Sequence, residues 1–321
     1  MLTILSILEF SLPIKEETAR NIYLAFALFH VKIIFIVNPV AGNGRAREAW
    51  ERVENLIKGI FNNYDVAFTS HPLHAVEIAR DAVKSGYDTV VSCGGDGTLN
   101  EVINGTIGSN VKVGLIPTGT GSDFGKTLGI RGIEKAIEVI KNGKSEKIDV
   151  VKVDYGDGKD SRYFVNILEI GFGAEVMNYV NSHKKGRKYS FILGILSVIW
   201  KLQKFNARFD TDSSQEMKTI EVIIANGKYF GGGMFASPIS SIDDGFLDVH
   251  VLKPVSRIAT LSRMRDLISG EYISKGYSYD FRAKSFIYNG DGNLFEMDGE
   301  VIGHTPLRVT VMERALNFLI P

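Results

Sequence analysis

From residue 32 onward the apolar positions fall into two alternating kinds of run. Ile33–Val37 is continuous and ends at Asn38-Pro39, the pattern of a strand buried on both faces. Trp50, Val53, Ile57 and Ile60 then recur at helical spacing. Val66–Phe68 predicts a second strand, and Val76, Ile78, Ala79 and Val83 a helix stopped by Gly86. Thr89–Val91 predicts the third strand and Val113–Ile116 the fourth, with the stripe Leu99, Val102, Ile103 and Thr106 between them. Ile133, Ala136, Ile137 and Ile140 make a last helix closed by Gly143. Repeated β-α units of this length predict a parallel sheet with helices on both sides.

After about Ile148 the period changes from 3.6 to 2. Tyr163–Ile170, Thr219–Ala225, Phe246–Leu252, Tyr277–Ala283 and Pro306–Met312 are alternating or β-rich, separated by Gly or Asp-Gly turns. This predicts a mostly antiparallel second half interrupted by one helical insert near 189–204. The fold class expected is α/β. A parallel nucleotide-binding domain over 32–147 precedes a β-rich domain over 148–321, with the active site in the cleft between them. The final residues are allowed to pack back on the first domain.

Composition narrows the function. Apolar residues are 45% and charged residues 23% of the 321, ordinary for a globular chain. Thirty-seven basic residues balance thirty-seven acidic ones, which argues against a general nucleic-acid binder. The single cysteine, Cys93, excludes an internal disulfide and a cysteine-based zinc site, and fits a reducing, cytoplasmic setting. Residues 1–31 read as an extension of uncertain status. They lack a basic n-region, Glu9 interrupts the first apolar run, and no run approaches the ~20 residues of a membrane span.

Glycine is enriched, 33 of 321, and it clusters. Gly94-Gly95-Asp96-Gly97-Thr98-Leu99-Asn100-Glu101 follows the third strand and opens a helix. Its amides can approach an anion at a helix N-terminus, and Asp96 there makes sense if Mg²⁺ lies between it and phosphates. Taken alone, the same residues suit a turn with Asp96 as N-cap. Equivalent loops follow strands one and four: residues 38–44, and Pro117-Thr118-Gly119-Thr120-Gly121-Ser122-Asp123-Phe124. Three such loops on one sheet edge point to a ligand. Gly125-Lys126-Thr127 lacks the upstream glycine of a Walker A loop, and no zincin helix or Gly-x-Ser-x-Gly elbow is present.

The second half carries Asp243-Asp244-Gly245 and Asp298-Gly299-Glu300, each readable as a plain turn. Between Val176 and Phe209 there are seven basic residues and no acidic one. Lys184, Lys185, Arg187 and Lys188 precede the largely apolar Tyr189–Trp200, and Lys201 follows it. That stretch suits a helix at an anionic bilayer surface, or a core helix with a solvated basic flank.

The three loops together resemble the diacylglycerol kinase catalytic-domain family, which includes bacterial lipid kinases and the sphingosine kinases. The resemblance runs over roughly 32–321; the more distant NAD kinases share the Gly-Gly-Asp-Gly turn. It implies ATP- and Mg²⁺-dependent phosphorylation of the hydroxyl of diacylglycerol or a related lipid alcohol, in phospholipid metabolism at the membrane surface. By motif position, Asn38, Pro39, Val40, Ala41, Gly42, Thr69, Gly95, Asp96, Gly97, Thr98, Leu99, Asn100, Glu101, Thr120 and Asp123 would line the ATP site. Asp96, Asp123 and Asp149 would hold a catalytic Mg²⁺ through water. Glu300 would be the general base, oriented by Asp298, while Asp244 with the carbonyls of Ser241 and Phe246 would hold a structural Mg²⁺. Ser122 departs from the family, where Asn is common, and its shorter reach puts that nucleotide contact in question. The alternatives carried forward are an NAD kinase-like phosphotransferase and a non-catalytic ATP-binding regulator. The oligomeric state is open, a homodimer included.

Overall fold

A computed structural model describes residues 31–119, 121–183, 190–211, 213–290 and 292–321; the expectations for residues 1–30, Thr120 and Lys184–Tyr189 lie outside these. β1 (Ile33–Val37) is buried along its whole length, as a central parallel strand must be. It pairs in parallel with β2 (Tyr64–Phe68) on one side and β3 (Thr89–Gly94) on the other. β4 (Lys112–Pro117) continues the sheet, in the order β2-β1-β3-β4. The crossovers are α1 (Arg45–Ile57), α2 (His74–Lys84) and α3 (Asp96–Thr106).

The predicted helical stripes are the buried faces. Trp50, Val53 and Ile57, with Leu99, Val102 and Ile103, share one core with the strands. Phe35 sits at its centre, ringed by Trp50, Phe61 and Tyr64 at centroid distances of 5.8, 6.1 and 5.8 Å. A fully buried side chain of that size stabilises by roughly 1.5–3 kcal/mol. Two short helices follow the fourth strand, α4 (Asp123–Thr127) and α5 (Ile133–Asn142), the latter ending at left-handed Gly143.

The second half is a β sandwich. β5 (Ser145–Tyr155), β6 (Asp160–Phe164), β8 (Phe205–Asp210), β9 (Ser214–Thr219), β13 (Ser285–Asn289) and β16 (Leu307–Leu319) extend the first sheet. β7 (Ile167–Gly171), β10 (Glu221–Ala225), β11 (Leu247–Leu252), β12 (Ser278–Ala283), β14 (Leu294–Met297) and β15 (Glu300–His304) form the second, antiparallel sheet. Phe164, Phe209, Phe286 and Tyr288 from one sheet meet Ile170, Val222, Val249 and Phe295 from the other. β16 pairs antiparallel with β5 and then parallel with β4 at Asn317 and Phe318. Phe318 thereby meets Phe124 edge-on at 5.3 Å.

Two expectations need correction. Tyr163–Ile170 and Thr219–Ala225 are each two strands, not one, and each run crosses from one sheet to the other. The β half also holds more than one helical insert. α6 (Phe172–Ser182) precedes α7 (Ser190–Val198), a 3₁₀ turn covers Ile199–Lys201, and α8 (Arg257–Ser269) and α9 (Glu271–Ser274) follow β11. α8 escaped the pattern because its apolar residues form no single stripe: Ile258, Leu261 and Ile268 are all exposed.

Candidate active site

The parallel order β2-β1-β3-β4 brings the loops after β1, β3 and β4 to one edge. They are tied together by backbone and side chain. Asn38 N–H donates to the Cys93 carbonyl at 3.0 Å, and Asn38 Nδ2 donates to Thr98 Oγ1 at 3.0 Å. Thr118 and Gly119 N–H both donate to the Gly94 carbonyl, at 3.1 and 3.2 Å. Gly119 lies so close that a Cβ on it would stand 2.9 Å from Gly95 Cα. Only glycine permits that approach.

The loops hold two carboxylates against each other. Asp96 Oδ2 accepts the N–H of Asp123 at 3.0 Å and Oδ1 that of Phe124 at 3.1 Å, capping α4. Burial pushes the Asp96 pKa up, and the Asp123 charge adds to the rise. Asp123 accepts from Lys126 Nζ at 2.7 Å and from Gly232 N–H at 2.7 Å. A methyl on Gly121 would sit 3.3 Å from Asp96 Oδ2 and 3.9 Å from Asp123 Oδ2, so both oxygens border one glycine-sized space. Two hard oxygen donors at the mouth of a glycine loop fit Mg²⁺.

Across the cleft stands the turn between β14 and β15. Asp298 is buried in the left-handed region, φ 49°. Its Oδ1 accepts the N–H groups of Asn166 and Ile167, both at 3.1 Å. Its Oδ2 accepts Asn100 Nδ2 at 2.9 Å and Val165 N–H at 3.3 Å. Burial still lifts its pKa to about 6, against those donors. Asp298 thus bolts the turn to α3 and aims Glu300 back at the glycine loop. Glu300 Oε2 accepts from Arg162 Nη2 at 3.1 Å, while Oε1 would lie 3.2 Å from a methyl on Gly97. The cleft so formed, open mouth included, holds about 1820 Å³.

Of the residues singled out from the sequence, Asn38, Ala41, Gly42, Gly95, Asp96, Gly97, Thr98, Glu101, Asp123, Asp298 and Glu300 line this cleft. Glu101 also braces α2, accepting Leu73 and Ala75 N–H at 3.1 and 3.0 Å. Asn100 is buried behind the loop, and Leu99 belongs to the core. Pro39 faces a separate depression beside Trp50, and Val40 is exposed. Thr69 N–H donates to the Val37 carbonyl at 2.9 Å, outside the cleft lining.

Asp149 does not join Asp96 and Asp123. It is fully buried, and its carboxylate accepts the N–H groups of Gly245 and Arg314, each at 2.7 Å. The Ser241–Phe246 turn is held by contacts of its own. Asp244 pairs with Arg282 and accepts the Phe246 N–H at 3.1 Å, while Ser241 Oγ donates to Asp243 at 2.6 Å. The Arg282 guanidinium, 4.6 Å above the Phe246 ring, already supplies this turn with a cation. Sequence reading missed Lys126, Arg162 and the Gly231-Gly232 loop. Consecutive glycines were the available signal for that loop; nothing local marks Arg162, which reaches Glu300 across 138 residues of chain.

The fold is a parallel-rich α/β domain, its glycine loops on one sheet edge, joined to a β sandwich. Residues 32–153 match the diacylglycerol kinase catalytic domain, and residues 166–320 match the YegS C-terminal NAD kinase beta sandwich-like domain. The chain belongs to the diacylglycerol kinase catalytic-domain family of lipid kinases. It is 28% identical over 295 residues to a protein of Streptococcus pneumoniae named as a candidate lipid kinase, covering 89% of this chain and 97% of that one. It is 25% identical over 301 residues to a diacylglycerol kinase of Mycobacterium tuberculosis, covering 90% and 95%. A crystal structure of a candidate diacylglycerol kinase from Bacillus anthracis str. Sterne superposes with TM-score 0.74 at 25% identity, over 90% of this chain and 95% of that one.

Proposed function

We propose that this chain transfers the γ-phosphoryl group of ATP, with Mg²⁺, to the hydroxyl of diacylglycerol or a related lipid alcohol. The observation that carries the reading is Glu300, a carboxylate from the sandwich that faces the phosphate-type glycine loop across a cleft. Phosphoryl transfer needs positioning and charge neutralisation more than covalent chemistry. Amides at the N-terminus of α3 would hold the phosphates. Asp96 and Asp123 would hold Mg²⁺, which when bound neutralises phosphate charge. Arg162 fixes Glu300 Oε2, leaving Oε1 to accept the proton of the acceptor hydroxyl. Asp298 positions that turn through its four hydrogen bonds.

A lipid acceptor also gives the basic segment a purpose. Leu196 and Trp200 are exposed beside Lys201 and Lys204, and α8 adds exposed Ile258 and Leu261 beside Arg257 and Arg265. Apolar residues among basic ones suit an anionic bilayer. No helix among the described residues is long and apolar enough to cross a membrane.

The test is transfer from γ-labelled ATP to vesicles of diacylglycerol and phosphatidylglycerol, with NAD as a parallel acceptor. Label in lipid supports the reading, and Glu300→Gln is expected to lower turnover ~10²-fold or more while ATP binding survives. Label in NAD alone, or ATP binding without transfer to any acceptor, overturns it.

A further inference from the structure

Glu300 follows the most flexible residue a turn can hold. β14 and β15 pair at Met297 and Glu300, so Asp298 and Gly299 form a two-residue hairpin turn, both with positive φ, 49° and 88°. Rotation about either backbone bond of Gly299 would swing the Glu300 side chain away from the glycine loop. The Asp298 carboxylate grips Asn100 and the backbone of residues 165–167, and none of its four bonds reaches Gly299. Two other side chains do. Glu296 Oε2 accepts the Gly299 N–H at 2.7 Å, and Asn181 Nδ2, on α6, donates to the Gly299 carbonyl at 3.3 Å. The first bond fixes the peptide plane before Gly299 and the second fixes the plane after it. Together they hold φ and ψ of the residue that precedes Glu300.

The Glu296 carboxyl is itself held by another acid. It stands on β14 directly opposite Glu169 on β7, a place where like charges repel. The two are 2% and 3% exposed, and they share a hydrogen bond. Among the described residues no basic side chain forms an ion pair with either. Two carboxyl groups hydrogen-bond to each other only when one carries a proton, so the pair shares one. Burial first, and then repulsion from a neighbouring carboxylate, raise both pKa values well above the ordinary carboxylate range. Glu169 thereby anchors the carboxyl that holds the turn. Apolar side chains at 169 and 296 would cover the same strands with less desolvation, but would leave the Gly299 N–H without its acceptor. Glu169, Asn181 and Glu296 all line the catalytic cleft with Glu300.

We infer that Glu296 and Asn181 are positioning residues that clamp Gly299 and so aim Glu300 at the glycine loop, with Glu169 holding Glu296 through a shared proton. The inference deepens the lipid-kinase reading and rests on it only for Glu300 being the base.

The experiment is a double-mutant cycle with Glu300→Gln in the vesicle assay, joined to hydrogen exchange of the Gly299 amide in ¹⁵N-glycine-labelled full chain without substrate. Glu296→Met removes the acceptor at similar volume. It is expected to lower kcat at least ~tenfold with both KM values unaltered, and to speed Gly299 exchange at least ~tenfold. Glu296→Gln keeps an oxygen for Gly299 and an N–H donor for Glu169, and is expected to recover most of both losses. In the Glu300→Gln background Glu296→Met should cost less than ~twofold further, because it acts through the base. If Glu296→Met does not fold, Asn181→Ala, which cuts the other bond to Gly299, enters the same cycle. Full additivity with Glu300→Gln, a change confined to KM, or a Glu296→Gln protein as impaired as Glu296→Met overturns the inference. No transfer to lipid by the unmutated chain, with Gly299 exchange responding as stated, would overturn the kinase reading and leave the clamp standing.

Discussion

A single methyl group at Gly119 separates the roles of the glycine loops. The added Cβ would lie 2.9 Å from Gly95 Cα, 3.2 Å from Gly95 N and 3.5 Å from the Gly94 carbonyl oxygen. All three are backbone atoms of the β3–α3 turn, so no side chain can rotate away and the loop itself must move. Overpacking of this kind costs about 1–3 kcal/mol. The loop leads straight to Asp123, whose carboxylate must stay beside Asp96, and a shift of about 1 Å at such a site costs ~10²-fold in rate. Gly95→Ala is the contrasting change, because its Cβ meets no heavy atom within 4 Å. That variant is expected to lose about 0.5–1 kcal/mol at the N-cap, where Gly is preferred over Ala. Its methyl nonetheless enters the space where phosphate would sit. Urea unfolding, equilibrium dialysis with labelled ATP and the vesicle assay read the two separately. Gly119→Ala should lose stability and turnover together, and Gly95→Ala should lose mainly ATP affinity. A Gly119→Ala protein with wild-type stability, or a Gly95→Ala protein with wild-type ATP affinity, would refute the reasoning.

Asp298, lifted from 3.8 to about 6, keeps in the folded chain a proton that the unfolded chain releases at lower pH. Wild-type stability therefore falls as pH rises from about 4 to 6, by up to ~3 kcal/mol, and Asp298→Asn lacks this fall; urea melts at pH 4, 5 and 6 that change in parallel for both proteins would contradict it. Ser122 holds φ 47° and ψ 56°, a conformation Asn tolerates better, so Ser122→Asn should raise the urea midpoint by about 0.5–1 kcal/mol equivalent with unchanged slope. Replacing Lys184, Lys185, Arg187 and Lys188 with Gln should weaken co-sedimentation with anionic vesicles by up to ~4 kcal/mol and flatten its salt dependence; unchanged binding would return this segment to a solvated flank.

The parallel half of the fold was legible because a strand covered on both faces leaves an uninterrupted apolar run, as Ile33–Val37 does. Helices between such strands must bury one stripe, so Trp50, Val53 and Ile57 announce themselves. The sandwich was harder to read. Asn166 and Ile220 each sit where the chain leaves one sheet for the other, and neither is a glycine or proline that would mark the break. Pairing partners far apart in sequence, such as β16 with β4 and β5, leave no local trace.

Within the site, motif spacing located residues but not their partners. Asp96 and Asp123 come together because successive β-α turns share one sheet edge. Asp149 and Asp244 look equivalent to them in sequence, yet one is enclosed by backbone donors and the other is neutralised by Arg282. The buried glutamates show the limit most clearly. Leu168-Glu169-Ile170 and Phe295-Glu296-Met297 alternate as strands with one wet face do. Alternation states which side chains share a face, and it is silent about what later covers that face. Here α6, which packs against β7 and β14, covers it. The carboxylates on that face are in fact enclosed, Glu169 at 3% and Glu296 at 2% exposure.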